Sequence, residues 1–481
     1  MSKLFFKSAG CIFLASVFMI SGCQPTPAKP VVVNKADGKL EEKMQETPAP
    51  KQPYEAPAHW SETVEGEKIN IVIDADVTLP GVTAYPVVKL EPASFTQQQV
   101  DDMVHYFVDD AKLYLPHVMT KADYDEEIVL AKRGQEMDGE FVVTEDSKAW
   151  VKELEKMRDA APADSPIIYI DSTLAYMKDE FGNDDKEKGK NFLSACFKNA
   201  DGSEGSVSAS NYAEGFTSAS RFSYSQNHDF NYISEAWYLR DMESGMTEED
   251  LGWMGVGELF DKVTMAEQDA QAMAEKAIDD LGIKDMMLVS AERAVSKKMP
   301  DKGGYQLTYA RQSGGLPLFW FTGGGHFKDE EPPQYSPPFS EEHLEIWVNE
   351  DGIFGFYWNG YAKVTETVSD NIELLPFEDI QEALKKQITY KKSFIASDDP
   401  NFSNLTVTIT SAELRMGYIG VKDTEYQALM VPVWVFESTF GYDNAYSEKG
   451  RCYPDDEYVL NAIDGGVIEM KRHEFKDAPA D

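Results

Sequence analysis

Seven histidines and four cysteines are the first places to look for chemistry in this chain of 481 residues. His59, His105, His117, His228, His326, His343 and His473 stand apart, without the spacing that would set two of them on one helix face or one turn around a metal. There is no His-Glu-x-x-His, no Gly-x-Ser-x-Gly elbow and no glycine loop for phosphate. Ser369-Asp370-Asn371 matches one element of a serine-acylating motif set, but neither Ser-x-x-Lys nor Lys-Thr-Gly accompanies it, so it fits better as a turn leading into a helix. Residues 179–187 gather carboxylates around Gly182, yet lack the alternating register and closing glutamate of a calcium loop. Carboxylates are too abundant for any two to be singled out as a glycosidase pair. These residues predict a non-enzyme with no catalytic set, no metal and no cofactor.

The thiols differ in what surrounds them. Lys3 and Lys7 precede an apolar run from Cys11 to Ile20 that is too short to span a bilayer, which is the layout of a cleaved signal peptide. It ends in Ile20-Ser21-Gly22-Cys23, followed by Gln24 and a proline-rich stretch, and this ending resembles the lipobox of bacterial lipoproteins. The resemblance implies a diacylglyceryl group on the Cys23 thiol, a mature chain beginning there, and a body held on the extracytoplasmic face of the cell membrane. Two acyl chains anchor stably because each buried methylene contributes about 0.8 kcal/mol. Cys196 and Cys452 remain, either paired as a disulfide or as two separate buried thiols.

Composition narrows the partners. Lysine plus arginine number 45 against 84 aspartate plus glutamate, a formal charge of −39. That field repels nucleic acid, and no basic cluster with interleaved aromatics offsets it. With 42% hydrophobic and 12% aromatic residues the chain can build real cores.

The elements that would position a site follow in order. After the signal (1–22) comes a tether (23–59) carrying Pro25, Pro27, Pro30, Pro48, Pro50, Pro53 and Pro57, with a short ordered piece at 39–44. As a free spacer of about 35 residues it would reach from roughly 35 Å coiled to roughly 110 Å fully extended. An N-terminal α+β region (60–262) opens with alternating Ile69, Ile71 and Ile73, a strand pattern, and a second strand candidate at 84–90. Thr96 and Gln99 form a capping box for a helix over 97–110, with further helices at 122–133 and 146–159 and a short buried strand at 167–170. From 192 to 239 aromatics alternate with small polar residues. Tyr212, Phe222, Tyr224 and Trp237 could fill the inner face of antiparallel strands, or stack on the rings of a solute or glycan.

Thr264 with Glu267 predicts a capped helix closed by Gly282, followed by strands that turn at Asp351-Gly352. Pro376 opens another helix, again followed by strands. Ser290-Ala291-Glu292 and Tyr305-Gln306 recur 121 residues later as Ser411-Ala412-Glu413 and Tyr426-Gln427, which suggests a degenerate duplication of 263–370 in 371–475. The strand Leu429-Met430-Val431-Pro432-Val433-Trp434-Val435 and the hairpin Val459-Leu460-Asn461-Ala462-Ile463-Asp464-Gly465 resemble the PepSY-type module, although Pro432 confines its strand to an edge or a bulge. With Val32-Val33-Asn34-Lys35 and Asp37-Gly38-Lys39 included, the chain resembles an uncharacterised family of Gram-positive lipoproteins.

The expected fold is therefore α+β: antiparallel sheets with packed helices, the C-terminal half being two helix-plus-sheet modules. PepSY-like modules are associated with tuning extracytoplasmic peptidases and sensor kinases. The resemblance thus implies a membrane-anchored binding or regulatory protein for a protein or peptide partner, through an exposed sheet edge or groove. A solute-binding or glycan-binding lipoprotein is the alternative.

Overall fold

The computed structural model describes residues 39–44, 50–133, 135–137, 140–142, 145–175, 177–178, 184–185, 191–211, 220–227, 232–243, 255–320, 335–398, 404–421, 424, 427–443, 452–454 and 457–469. Local signals act as the sequence predicts in several places. Thr96 Oγ1 accepts from Gln99 N–H (3.2 Å) and Thr96 N–H donates to Gln99 Oε1 (2.9 Å), so the helix Gln97–Val108 starts at its capping box and buries Val100, Met103, Val104 and Val108. The second capping box fails. The helix is Glu267–Asp280 with Ala266 as an uncapped N-cap, and the Thr264 hydroxyl donates instead to Glu350 (2.7 Å), a stronger acceptor brought in by the 350–351 turn. Residues 167–170 are not a buried strand: Ile167 and Tyr169 are each 62% exposed, and the segment runs along 113–115 through an isolated bridge at Tyr114, with Leu115 N–H donating to the Ile168 carbonyl (2.9 Å) and Ile170 N–H to the Leu113 carbonyl (3.0 Å).

The α+β expectation is overturned. Seventeen strands join in one large mixed sheet, and the helices are few beside it. One arm runs in the order Phe192–Lys198, Glu204–Ser210, Ser220–Ser225, the first half of Gly352–Ser369, His343–Asn349, Gly304–Ser313, Met286–Val295 and Ile233–Ser234. The other runs His59–Val64, Ile69–Thr78, Asn404–Gly420 and Ala428–Asp443. Along the far edge of that last strand lie Val87–Pro92, Tyr458–Asn461 and Cys452–Pro454. Ile69–Thr78 against Asn404–Gly420 is a parallel pair, which is what makes the sheet mixed.

The two stretches expected to be separate modules are thus continuous with each other and with N-terminal strands. The Ser-Ala-Glu triplets do occupy like positions, each directly after a ladder irregularity, at Leu288/Ser290 and at Ile409/Ser411. Local likeness of this kind does not decide whether a strand closes its own small sheet or extends a neighbour's.

Pro432 also departs from expectation, since Ala428–Asp443 is paired on both edges. It stands opposite Met416, whose carbonyl turns away to accept Phe319 N–H (2.8 Å), while the Pro432 carbonyl accepts Ala462 N–H (3.0 Å) on the far edge. The imide nitrogen therefore faces that far edge, where the partner changes from Val87–Pro92 (ending at Met430) to Tyr458–Asn461 (starting at Val433). A seam between partners has no ladder bond for proline to remove.

Each arm has its own core. The helices Gln97–Val108 and Glu267–Asp280 lie on the first, where Ala270, Ala274 and Ala277 let the backbone come close. The helix Phe377–Asp398 covers the second with Phe377, Ile380, Leu384 and Ile388, and Phe377 meets the fully buried Trp434 at 4.7 Å. Each such fully buried side chain stabilises by about 1.5–3 kcal/mol.

The arms are joined by Gly352–Ser369. Its first half pairs with Ser220–Ser225 and His343–Asn349, and its second half pairs with Val87–Pro92. Between them Gly360 adopts φ +73°, and a Cβ there would lie 2.3 Å from the Glu341 carbonyl oxygen, so only glycine fits. Beside this crossing the Glu342 carboxylate, 1% exposed, is ion-paired with Arg311, which is 8% exposed. Glu342 also accepts Trp358 Nε1–H (2.9 Å), and Arg311 Nη2 donates to the Ala362 carbonyl (2.9 Å). Burial pushes the Glu342 carboxyl up while the guanidinium opposes it.

The N-terminal stretch is fastened to this body. The expected ordered piece is the helix Lys39–Met44, whose Leu40 is buried and whose Lys43 Nζ donates to the Ile463 carbonyl (2.5 Å). Further on, Tyr54 N–H donates to the Tyr85 hydroxyl (2.7 Å), the Tyr54 hydroxyl donates to the Leu375 carbonyl (2.7 Å), and its ring lies 5.7 Å from Trp434.

Arg311→Met alone should lower unfolding stability by about 3–5 kcal/mol, because it strands a buried carboxylate. Adding Glu342→Gln, which still accepts from Trp358, should recover more than half of the loss in chemical denaturation. A double variant no more stable than the single one would show that the charge pair is not what the crossing requires.

Candidate functional site

Of the four aromatics expected to offer a stacking platform, three lie among the described residues, and these three do not share an exposed face. Phe222 and Tyr224 are 1% and 5% exposed and face the first core, where Phe107 stacks on Tyr224 at 4.7 Å. Trp237 is partly exposed on the helix Glu235–Glu243, and Tyr212 lies outside the described residues. The inner-face reading fits the two strand positions, Phe222 and Tyr224.

Cys196 is a free buried thiol, so it is not bonded to Cys452. It sits in Phe192–Lys198, with its backbone bridged to Tyr114. Burial, with Glu204 nearby, pushes its thiol up to about 11, which leaves it protonated and unreactive at neutral pH. Cys452 pairs with Gly441 in another part of the sheet. Cys23 lies outside the described residues, as do His228, His326 and His473.

Among the described residues no group of three His, Cys, Asp or Glu is arranged for a metal ion. His117 binds Asp123 (2.8 Å), and His343 stacks on Trp320 with ring centroids 5.3 Å apart. In Ser369-Asp370-Asn371, Asn371 is buried and its Oδ1 accepts Tyr85 N–H (2.8 Å), which is the structural turn the sequence predicts. Most of 179–187 lies outside the described residues.

What the fold does present is an open sheet edge. At the two ends of the first arm, Phe192–Lys198 is met by bridges from Tyr114 and Ala175, and Met286–Val295 is met at Ala294 and Val295 by Ile233–Ser234. His59–Val64 pairs with Ile69–Thr78 on one side, in the register His59↔Asp76 to Val64↔Ile71, and meets no strand among the described residues on the other. Val77 N–H donates to the Ala58 carbonyl (3.0 Å), so positions 58, 60, 62 and 64 point their backbone groups inward by the two-residue alternation. His59, Ser61 and Thr63 therefore aim theirs outward, off the edge.

Side chains hold this edge rigid. Trp60, 6% exposed, packs edge-on against Phe377 (5.7 Å), its Nε1–H donates to Glu62 (3.2 Å), and Glu62 pairs with Lys385 (3.0 Å). On the opposite, solvent face, His59 lies 3.0 Å from both Asp74 and Asp76, and hydrogen bonding to Asp76 and then to Asp74 raises its pKa. A fixed, hydrated row of backbone donors and acceptors beside carboxylates is suited to pairing with an extended segment that carries positive charge. The sequence signal for it was the alternation in 69–73, but that pattern does not say which neighbour a strand lacks.

Non-reducing peptide mapping of the purified chain should return Cys196 and Cys452 in separate peptides, with Cys196 unlabelled by iodoacetamide until the protein is denatured. Recovery of a crosslinked Cys196–Cys452 peptide from native protein would contradict the free thiol.

No family model matches the chain, and no curated protein matches it. Solved structures similar to it include the following two. An uncharacterized protein from Eubacterium rectale has 13% identity and a TM-score of 0.46, over 90% of this chain and 99% of that one. The Bacillus megaterium YpeB C-terminal domain, a distant structural neighbour, has 11% identity and a TM-score of 0.24, over 57% of this chain and 80% of that one. Likenesses at these levels carry no argument about activity.

Proposed function

We propose that this chain is a lipid-anchored, extracytoplasmic binding protein that pairs with an extended basic segment of a protein or peptide partner along the outer edge of His59–Val64, and that it does no chemistry on that partner. The open edge carries the reading: three outward-facing residues in a strand locked by Trp60 and Glu62, beside Asp74 and Asp76. The formal charge of −39 supports a cationic segment, since long-range attraction speeds encounter and backbone pairing then fixes register. The anchor rests on Ile20-Ser21-Gly22-Cys23, and with Cys23→Ala the chain should leave the membrane fraction for the soluble one.

The edge is tested with the peptide Lys-Val-Lys-Val-Lys-Val-Lys-Val, followed by fluorescence anisotropy at low and at physiological salt. Ser61→Pro removes one outward N–H and leaves the inward ladder untouched. Affinity should fall at least tenfold in this variant, and should also weaken with salt as exposed charges are screened. Undiminished binding by a Ser61→Pro variant that melts like wild type would refute the edge as the site.

A further inference from the structure

At one end of the first arm residues 199–203, 226–227, 299–302 and 349–351 converge with Tyr232 and Phe354 around a cleft of about 330 Å³. This is within the range of small-molecule sites. We infer that this cleft is a binding site for a neutral polyhydroxylated ligand, a sugar ring or a short glycan.

Its floor is aromatic, with Tyr232 packed on Phe354 (4.4 Å between centroids) and on Trp347 (6.2 Å). Its rim is polar and held in place by its own bonds. Asn199 Nδ2 donates to Ser203 Oγ (2.9 Å) and to the Gln226 carbonyl (2.7 Å), and the Tyr232 hydroxyl donates to the Lys302 carbonyl (3.1 Å). Asp201 accepts from Ser203 N–H (2.9 Å), and Asp351 N–H donates to Asn349 Oδ1 (2.9 Å). The heads left facing solvent are the Gln226 amide, the Asp201 carboxylate and the Lys302–Asp351 pair at 2.7 Å.

Those groups select by elimination. An anion would meet Asp201 and a chain of strong negative charge, with Lys302 already neutralised by Asp351. A compact cation finds one carboxylate outside that pair, Asp201, whose Oδ1 already accepts Ser203 N–H and Oγ–H, and no group of three metal-ligating side chains among the described residues. A purely apolar ligand would desolvate an amide and a carboxylate without giving them partners, which is costly. A sugar offers hydroxyls that both donate and accept, with a C–H face for the aromatic floor. Tyr232 belongs to the aromatic-rich segment, but it was not among the four residues singled out in the sequence, and its role follows from the turn that brings Phe354 beneath it.

The test is titration calorimetry on the full chain with cellobiose and chitobiose, against glucose 6-phosphate and glycine betaine as charged probes. Saturable binding of at least one neutral disaccharide is expected, weakened at least tenfold by Tyr232→Ala and by Gln226→Ala, with neither charged probe binding. Ser61→Pro should leave it unchanged, so failure here and failure of the edge reading are separable. Gln226 is exposed, so its variant stays informative if Tyr232→Ala does not fold. No saturable heat from either disaccharide, tighter binding of a charged probe, or full affinity in the Gln226→Ala variant would overturn the assignment.

Discussion

The buried ion pair of Arg311 with Glu342 is the constraint on which the architecture turns. It lies where Gly352–Ser369 leaves one arm of the sheet for the other, and the four residues of its network come from three segments: Arg311 from Gly304–Ser313, Glu342 from the lead into His343–Asn349, and Trp358 and Ala362 from the crossing strand. A charge pair in such a place is not a source of great stability, because removing two ions from water offsets most of their attraction. Its effect is on register. A one-residue slip in Gly352–Ser369 would move every inward side chain to the wrong face, and would also take Gly360 away from the Glu341 carbonyl and leave two buried charges unmatched.

That crossing explains how one chain presents two different kinds of surface. The first arm ends in converging turns over an aromatic floor, a concave polar cup. The second ends in a strand, His59–Val64, paired on one side only among the described residues. Both are preorganised by buried aromatics: Tyr232, Trp347 and Phe354 under the cup, Trp60 and Phe377 behind the edge. Side chains fixed before a ligand arrives lower the ordering cost of association.

Much of the local structure was legible in the sequence. The capping box at Thr96, the glycine closure at Gly282, the Asp351-Gly352 turn and the apolar stripe of the helix Phe377–Asp398 are short-range statements, decided by residues within one or two turns of each other. The sheet was not legible. Ile69–Thr78 and Asn404–Gly420 lie side by side although more than three hundred residues separate them, and alternation marks each as a strand without naming its neighbour. The same limit hid both candidate sites. Ser61 is ordinary until the far side of its strand is known to meet no other strand among the described residues, and Gln226 and Lys302 gain meaning only when they line one cleft. Thr264 shows the converse, a correct local motif overruled by Glu350, which arrives from a distant turn.

The fastening of Lys39–Met44 and Tyr54 to the body bears on geography as well as on packing. If Cys23 carries the acyl group proposed for it, the distance from there to Lys39 is bounded by the reach of residues 24–38, at most about 54 Å at about 3.6 Å per residue. Because Lys43 is pinned beside Ile463, that anchor would hold the pole of the body with the C-terminal hairpin toward the bilayer. The molecule would then scan a thin shell above the lipid, and anything it holds would have to come within a few nanometres of the headgroups.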